Sequence, residues 1–326
     1  MQVLVAELDP AGANLLFSTT IGSHGLNTAA PAGLAVDTAG NIYLAGNTDG
    51  PDLITTKGAF QTTSTDGLCC QKGNGFVVRI AATPPQITAV TDDAGFQQGI
   101  SPGAWIAIFG TNLAYTTRLW KDSEILGGKL PTLLDGVSVT IDGRLAAVNY
   151  ISPLQLNVQV PDDTATGPVT VAVTTPQGTA TFTTTMQTFS PGLFMYPAAN
   201  ARYVAAQHAD YSILGPPGLY PGASSPAKPG EVIILYTTGF GPTSPPTPSG
   251  QVVTSAAPVV NLNLSPISVT IGGLPAQVQW AGITMAGVWQ LNVQVPPGAP
   301  TGDAAVVAQI GGKSTQAGAF VTVQGP

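Results

Sequence analysis

The chain is a succession of short segments in which apolar and polar residues alternate, separated by turns rich in glycine, proline, asparagine and aspartate. Alternation with a period of two is typical of β-strands that bury one face. Across 83–190 it predicts strands near 86–90, 104–110, 137–141, 144–151, 154–160, 168–174 and 179–185. Their number and spacing are typical of an immunoglobulin-like sandwich. A second set is predicted near 231–238, 267–271, 274–280, 288–295, 303–310 and 319–323.

One heptapeptide, Gln-Leu-Asn-Val-Gln-Val-Pro, occurs at residues 155–161 and again at 290–296, which indicates a duplicated module. A Val-Thr-Ile strand and a two-residue turn precede each copy, Asp-Gly at 142–143 and Gly-Gly at 272–273. Such turns supply the positive φ angles that a tight hairpin needs. The alternation within the heptapeptide predicts that three residues of the first copy face a core: Leu156, Val158 and Val160.

The first 82 residues carry four shorter strand patterns, LLFSTTIG, GLAVD, NIYLAGN and GFVVRI. The Gly-x-Ala-Val-Asp strand, the Gly-Asn turn and the Tyr-containing strand of residues 33–46 resemble one blade of the bacterial β-propeller repeats called SBBP. Residues 5–8 look like the closing strand of a preceding blade, as residues 77–80 close this one. Because propellers contain about 4–8 blades, a lone blade implies either further blades or packing against another surface.

From residue 84 onward, short motifs follow one another in a fixed order: Ser-Pro-Gly at 101–103, Ile-Phe-Gly-Thr-Asn-Leu at 108–113, Leu-Pro at 130–131, Gly-Val-Ser-Val at 136–139, Ser-Pro-Gly-Leu-Phe at 190–194, Pro-Ala-Lys-Pro-Gly-Glu at 226–231 and Thr-Gly-Phe-Gly-Pro at 238–242. This part resembles the Solibacter-type C-terminal domain family of acidobacterial surface and secreted proteins, and its opening strands resemble an IPT/TIG immunoglobulin-like domain. The resemblance implies an extracellular location and fold class but no chemistry. Residues 208–212 depart from the family's Asp-Gly-Ser.

These patterns predict an all-β chain: two tandem immunoglobulin-like β-sandwich modules preceded by a single propeller-blade-like antiparallel sheet. The predicted domains are 1–82, the SBBP-like blade, 83–190, an IPT/TIG-like sandwich, and 191–326, a second immunoglobulin-like sandwich. Two windows lack glycine and proline. The window 111–126 can hold one or two helical turns, and 198–214 is more typical of strand and loop.

Composition narrows the possible partners. Charged residues are 8% of the chain and the net charge is −7, with ten scattered lysines and arginines, so we expect no nucleic-acid partner. No apolar run reaches the ~18–20 residues that span a bilayer. The N-terminus lacks signal-peptide features, which favours a mature or truncated form of an extracellular or cell-surface protein. A surface with so few charges also favours self-association.

Candidate catalytic motifs are weak. The two histidines, His24 and His208, lie in different modules, so a Ser-His-Asp or metal site is not expected, and we interpret His208 as a loop residue. The S-x-x-K motif at 225–228 is followed by Pro-Gly, which ends any helix, and we interpret it as a loop. Gly-Gly-Lys-Ser at 311–314 lacks the first glycine of a phosphate-binding loop, since Val307 stands there, and predicts a hairpin turn.

Paired acids at 92–93 and 162–163 fall in predicted turns, where aspartate caps backbone amides. We therefore expect no metal, no cofactor and no enzymatic activity. The adjacent Cys69 and Cys70 cannot form a C-x-x-C pair. Three states stay open for these cysteines: free thiols, a vicinal disulfide, or cross-links to a neighbouring chain.

The main expectation is a non-enzymatic extracellular structural protein that self-assembles as a surface or filament subunit, because the edges of a lone blade can add strands from another chain. The candidate intersubunit strand contains Val3, Leu4, Val5 and Leu8. The alternative is an adhesin or a glycan-binding accessory module. Its candidate stacking residues are Tyr115, Trp120, Trp280 and Trp289, although Trp105 and Trp289 fit a core position better.

Overall fold

The computed structural model describes residues 2–8, 12, 15–22, 29–37, 40–48, 53, 55–62, 74–81, 83–163, 165–198, 202–254 and 266–325. Within these residues the regular structure is β-strand, apart from short 3-10 turns. The all-β class and the sandwich modules are therefore confirmed. No helix in the described ranges is long and apolar enough to cross a membrane.

The N-terminal region is a two-layer β structure with a small apolar core between its sheets. Its strands are β1 (Gln2–Leu8), β2 (Leu15–Gly22), β3 (Ala29–Val36), β4 (Ile42–Thr48) and β5 (Asn74–Ile80). β1 pairs with β2 in one antiparallel sheet, and β3, β4 and β5 form a second one in that order. Inward-facing side chains of both sheets make the core: Val3, Val5, Ala29, Leu44 and Phe76.

This arrangement differs in one detail from the single blade-like sheet expected over residues 1–82. Residues 15–22, expected as a strand of that sheet, pair instead with β1, from Gln2 opposite Gly22 to Leu8 opposite Leu15. Phe17 and Ile21 consequently pack on the core between the layers. A single sheet would leave those side chains facing water, so the burial of apolar surface between two layers favours the observed pairing.

Residues 86–186 form a β-sandwich of two antiparallel sheets. Its strands are β6 (Gln86–Asp92), β7 (Trp105–Thr111), β8 (Arg118–Leu119), β9 (Leu133–Leu134), β10 (Val137–Ile141), β11 (Arg144–Leu145), β12 (Ala147–Ile151), β13 (Gln155–Gln159), β14 (Gly167–Thr175) and β15 (Gly178–Met186). One sheet has the order β6-β7-β13-β12-β8, and the other has β11-β10-β14-β15 with β9 beside β10. The window 111–126 contains β8 and a 3-10 turn at Asp122–Glu124, so its helical content is one turn.

A second sandwich follows. Its strands are β16 (Gly192–Leu193), β17 (Ala206–Gln207), β18 (Ile213–Leu214), β19 (Ser224–Ser225), β20 (Val232–Thr238), β21 (Ser268–Ile271), β22 (Leu274–Met285), β23 (Val288–Gln294), β24 (Gly302–Ile310), β25 (Lys313–Ser314) and β26 (Phe320–Val323). β22 pairs with β21 up to Ala276 and with β23 from Gln277 onward, so this strand passes from one layer to the other. The core lies between the layers and includes Leu235, Ile271, Leu291, Val306 and Val321.

The alternation predicted for the heptapeptide is confirmed. In both copies the three aliphatic side chains are fully buried: Leu156, Val158 and Val160 in the first, and Leu291, Val293 and Val295 in the second. The tight turns are confirmed too. Asp142 and Gly143 have φ of 49° and 75°, and Gly272 and Gly273 have φ of 62° and 80°, as a hairpin turn with two left-handed residues requires.

The polar residues of the heptapeptide also have one role in both copies. The first glutamine donates to the asparagine two residues further on, at 2.8 Å in each copy. The second glutamine reaches a Pro-Gly turn. Gln159 donates to the carbonyl oxygen of Gly103 at 2.9 Å, and Gln294 donates to that of Gly230 at 3.1 Å. The duplicated sequence therefore ties a core strand to the turn that opens the neighbouring strand.

The two sandwiches are joined by buried hydrogen bonds around Thr238, at the end of β20. Thr238 Oγ1 accepts from the backbone N–H of Trp105 at 3.0 Å and donates to the carbonyl oxygen of Gly287 at 2.9 Å. The indole N–H of Trp105 donates to the carbonyl oxygen of Ala286 at 2.6 Å. An apolar cluster from both sandwiches surrounds these bonds: Trp105, Leu130 and Ala147, with Trp120, Ile125, Phe194, Ala286 and Val288 packed against them.

Adjacent threonines provide a test of this joint. Thr238→Val removes the acceptor for Trp105 and leaves the Gly287 carbonyl without its donor, so we expect a loss of about 2–4 kcal/mol in the free energy of unfolding. Thr237 is equally buried, but its hydroxyl has no hydrogen-bond partner among the described residues. Thr237→Val should therefore be neutral or stabilising. Urea denaturation measures both changes, and equal losses would contradict the role of Thr238.

Candidate functional site

A cleft lies between the two sandwiches, beside the joint at Thr238. Its volume is about 390 Å³, within the usual range for small-ligand sites, which often form between domains. The first-sandwich side is formed by the turn at 102–104 and by Asp162, Asp163 and Thr166, and residues 187–188 of the connection between the sandwiches also line the cleft. Loops after β20 and the side chains of Ile283 and Trp289 form the opposite side.

One wall of the cleft is the proline-rich loop at 241–250. The structure shows that this loop reaches across to the other sandwich. The backbone N–H of Asp162 donates to Ser249 Oγ, and the backbone N–H of Ser249 donates to Asp162 Oδ2, both at 2.9 Å. Gly250 N–H donates to Gln159 Oε1 at 2.8 Å. These bonds tie the wall, which extends from the second sandwich, to the first sandwich.

The surface of the cleft combines flat apolar rings with hydrogen-bonding groups. Four prolines line it: Pro102, Pro242, Pro246 and Pro248. Trp289 lies at the floor, where it packs on Phe240 with ring centroids 6.0 Å apart and is 3% exposed. The polar groups come from Asp162, Asp163, Thr166, Gln187, Thr188 and Thr247. Such a lining suits a ligand with both apolar faces and hydroxyl groups.

The charge of the cleft is negative. Asp163 Oδ1 accepts from the backbone N–H of Ala165 at 3.0 Å, and its Oδ2 lies 3.3 Å from Arg144 Nε. No lysine or arginine is among the described residues that line the cleft. Arg144 pairs with Asp163 but does not line the cleft, so an anionic ligand would meet the Asp162 carboxylate with no cation among the described lining residues, whereas a neutral ligand can donate hydrogen bonds.

The structure brings His208 between two partners that sequence reasoning missed. His208 Nδ1 lies 2.6 Å from Glu231 Oε1, and Nε2 lies 3.1 Å from both Ser225 Oγ and the Ser225 carbonyl oxygen. A serine, histidine and carboxylate in this order match the connectivity of a catalytic triad. However, Pro226 follows the serine and has no N–H for an oxyanion, and Nε2 also faces a carbonyl. We interpret the group as a structural clasp between loops.

Of the acids at 92–93, Asp92 caps a turn, as expected, and both carboxyl groups are poorly solvated. Asp92 is 1% exposed and accepts from the backbone N–H groups of Ala94, Gly95 and Gln97. Burial raises the pKa of Asp92 against the effect of these bonds. Burial, with the neighbouring charge of Asp92, raises the pKa of Asp93 from 3.8 to about 7, although Asn157 donates to it at 2.9 Å.

The remaining candidate motifs are loops and turns where the structure describes them. Ser225 ends β19 and Lys228 lies in the turn before β20, so the S-x-x-K residues form no helix. Gly311 and Gly312 form the hairpin turn between β24 and β25, as predicted. Cys69, Cys70 and His24 lie outside the described residues.

Of the aromatic residues expected to stack on a ligand, Tyr115 is the most exposed, at 42%. Burial and the nearby carboxylate of Glu7 raise the pKa of Tyr115 to about 12. Trp120 packs edge-on against Trp105 in the joint, with centroids 5.8 Å apart. Trp105 is buried in this joint between the two sandwiches, and it is not part of the core of the first sandwich. Trp280 is half-buried on β22, and Trp289 is at the floor of the cleft.

The residues of the candidate intersubunit strand divide between two faces of β1. Val3 and Val5 are 7% and 3% exposed and point into the N-terminal core. Leu4 and Leu8 are 66% and 55% exposed on the opposite face. Side-chain contacts between copies through this strand can therefore involve the two leucines and not the two valines.

Comparison with known proteins finds a family match for one short segment of the chain. The SBBP family, described as a β-propeller repeat, matches residues 17–53, which confirms the resemblance for that region. No curated protein sequence matches the chain.

Three solved structures are among those that match this chain. SGBP-B of the Bacteroides ovatus mixed-linkage glucan utilization locus, in complex with a mixed-linkage heptasaccharide, is 13% identical over 88% of this chain and 53% of its own, with a TM-score of 0.30. SGBP-B from a Bacteroides uniformis xyloglucan utilization locus is 11% identical over 74% and 50%, with a TM-score of 0.22. The I9-I11 tandem of titin is 8% identical over 87% and 93%, also with a TM-score of 0.22. The chain thus spans about half the length of the two Bacteroides proteins, and these TM-scores support no transfer of function.

Asp93 makes the stability of the fold depend on pH. In the unfolded chain this carboxyl releases its proton near pH 4, whereas the folded protein keeps it until about pH 7. The folded state therefore binds the extra proton, and stability falls as pH rises from about 4 to 7. Asp93→Asn removes this cost, and we expect it to raise Tm at pH 8 and to change it little at pH 4.

Asp142→Asn is the matched control, because Asp142 is exposed in a tight turn whose positive φ asparagine tolerates. Thermal unfolding from pH 4 to 8 compares the two variants with the unmodified protein. If Asp93→Asn loses stability with pH as steeply as the unmodified protein does, the raised pKa of Asp93 is wrong.

Proposed function

We propose that this chain is a non-enzymatic extracellular binding protein that holds a neutral saccharide in the cleft between its two sandwiches. The observation that carries the proposal is the lining of the cleft. Proline rings provide apolar contact surface above the buried Trp289, and carboxylate, amide and hydroxyl groups surround them. Pyranose rings present the same combination of apolar C–H faces and peripheral hydroxyl groups.

The lining of the cleft favours neutral saccharides over acidic ones, because its described residues include no lysine or arginine. The carboxylate of Asp162 can accept hydrogen bonds from sugar hydroxyls, and no basic residue among the described lining residues can pair with a uronate or sulfate. Desolvating an unpaired anion in such a site is costly. Neutral saccharides are therefore the favoured class, and acidic ones are disfavoured.

The rigidity of the cleft supports a binding role. The proline-rich wall is fixed at Ser249 and Gly250 by bonds to the other sandwich, and proline limits the conformations that the wall can adopt. A preformed site loses less conformational entropy when the ligand binds.

Two further observations support the absence of catalysis and an extracellular or cell-surface location. The Ser225–His208 contact has no N–H donor from the next residue, which is proline. The resemblance of residues 84–326 to a family of acidobacterial surface and secreted proteins supports an extracellular or cell-surface location. The two Bacteroides structures come from utilization loci for mixed-linkage glucan and for xyloglucan, so oligosaccharides of these two glycans are sensible first probes.

A second role, self-association as a surface or filament subunit, is favoured by one specific observation. Three leucines on one face of the N-terminal region are more than half exposed: Leu4, Leu8 and Leu15. Apolar patches of this kind on a monomer mark interaction sites or aggregation liabilities. This role and saccharide binding use different parts of the molecule and are compatible.

The saccharide proposal is tested by blocking the cleft. Thr188 is exposed and lines the cleft, so Thr188→Trp should fill it and weaken saccharide binding by at least about tenfold. Thr183→Trp places the same side chain on the exposed face of β15, outside the cleft, and should leave binding unchanged.

Binding is measured by a glycan array followed by calorimetry with neutral oligosaccharides, including mixed-linkage glucan and xyloglucan fragments, and with oligogalacturonate as the acidic comparison. Binding of neutral oligosaccharides that Thr188→Trp alone abolishes would support the site. Binding equally weakened by Thr183→Trp, a preference for oligogalacturonate, or no binding to any glycan would overturn the proposal.

A further inference from the structure

The outward face of the β1–β2 sheet is unusually apolar for a solvent-facing surface. We call this the leucine face, and it consists of Leu4, Ala6, Leu8, Leu15, Ser18 and Thr20. Leu4, Leu8 and Leu15 are 66%, 55% and 57% exposed, and the face carries no charge. The opposite side of the sheet is already occupied by the core with Leu44 and Phe76.

The same chain shows what an ordinary outward face looks like. On the β14–β15 hairpin the outward positions of β15 are all threonine, at 179, 181, 183 and 185, while β14 directs Val169, Val171 and Val173 into the core. This is the apolar-in, polar-out alternation of a sheet with one solvated face. β1 breaks that alternation, because both of its faces carry large aliphatic side chains. A strand that is apolar on both faces is expected between two layers.

The far side of the two-layer unit is a second uncovered sheet face. We call it the β3–β5 outer face, and it consists of Gly33, Ala35, Tyr43, Ala45, Val77 and Arg79. Val77 is 76% exposed at its centre. The single charged residue lies at one end, where Arg79 donates to Asn41 Oδ1 at 2.9 Å. Most of this face is therefore flat, uncharged and open.

The two faces complement each other better than either complements itself. The leucine face has projecting side chains, whereas the β3–β5 outer face has small residues that leave room for them. The chain already contains one packing of this kind, because Val3 and Val5 of the β1–β2 sheet pack against Leu44 and Phe76 of the β3–β5 sheet. A second copy of the chain offers the same two sheets in the same order, so that packing can repeat.

We propose that the leucine face of one copy docks on the β3–β5 outer face of a second copy. The inference rests on the self-association proposed above and is independent of the saccharide cleft. Because the two faces differ, the contact is head-to-tail, and repetition builds either an open stack or a closed ring. A ring of such layers would have the radial arrangement of a β-propeller, which accords with the SBBP match at residues 17–53.

The first test compares two double variants of the full chain by analytical ultracentrifugation over a wide concentration range. Leu4→Ser with Leu15→Ser removes the projecting side chains of the leucine face and should raise the dissociation constant by a factor on the order of one hundred, about tenfold for each leucine. Leu119→Ser with Leu154→Ser is the control, because these leucines are 58% and 64% exposed on the first sandwich. The control should associate as the unmodified protein does.

A second experiment mixes two variants to test whether the contact between copies is head-to-tail. Ala45→Arg places a bulky charge on the β3–β5 outer face and should also give a monomer. Each variant keeps one intact face, so a mixture of Ala45→Arg with the Leu4, Leu15 variant should form a one-to-one dimer and no larger species. A contact between two leucine faces predicts instead that Ala45→Arg dimerises alone, and that result would overturn the head-to-tail proposal.

The outcomes separate this inference from the proposals on which it rests. A monomer at every concentration overturns both self-association and the docking faces. Oligomers that persist in the leucine variant overturn the faces and leave self-association standing. Circular dichroism and thermal unfolding show whether each variant is folded. Saccharide binding of the leucine variant, measured in parallel, should equal that of the unmodified protein.

Discussion

The hydroxyl group of Thr238 determines how the two sandwiches are placed, and the cleft depends on that placement. Two backbone groups, the N–H of Trp105 and the carbonyl of Gly287, would be buried without partners if the hydroxyl moved away. Leaving both unsatisfied costs more than a typical exposed contact contributes, so the sandwiches are held in one orientation. The cleft opens beside this contact, and its shape is therefore a consequence of interior hydrogen bonding more than of surface loops.

The residues directly after Thr238 also shape the joint and the cleft. Gly239 approaches the Ser190 carbonyl too closely for any side chain and has φ of 78°, which only glycine adopts readily. Phe240 is 1% exposed and packs on Trp289. Pro242 then begins the proline-rich wall. Within five consecutive residues, Thr238 forms the joint and Gly239 allows the close approach to Ser190. Phe240 supports the floor of the cleft, and Pro242 begins its wall.

Sequence reasoning predicted the parts of this protein that depend on local pattern. The alternation at Leu156, Val158 and Val160 identified a core strand, and the Asp-Gly and Gly-Gly pairs identified hairpin turns, because period and turn chemistry are encoded within a few residues. The duplicated heptapeptide predicted two related sandwiches for the same reason. In both sandwiches it ties a strand to a Pro-Gly turn, at Gly103 and at Gly230.

The cleft and the clasp could not be predicted in this way. Asp162 and Ser249 are 87 residues apart, and their bonds depend on the orientation of whole sandwiches. His208, Ser225 and Glu231 are closer in sequence, but the loops between them are too irregular for a periodic signal. The pairing of β2 with β1 was also missed, because strand pattern shows which residues are apolar but not which sheet will cover them.

Scarcity of charge connects the two proposed roles. The chain has 27 charged residues by type, ten basic and seventeen acidic, and several of them form internal pairs. Arg118 holds Glu124 and Asp135 at 2.9 and 2.7 Å, and Arg202 pairs with Asp303 at 3.1 Å while its guanidinium lies over Phe320.

Charges engaged in this way contribute little to long-range repulsion or steering. Recognition by this protein must then depend on short-range contacts, on hydrogen bonds from hydroxyl-rich ligands within the cleft and on apolar packing at the N-terminal sheets. The threonine-covered β14–β15 hairpin of the first sandwich has neither feature. Whether a surface of this chain attracts a partner therefore depends on its shape and its side chains, and the field of the whole molecule contributes little to the choice.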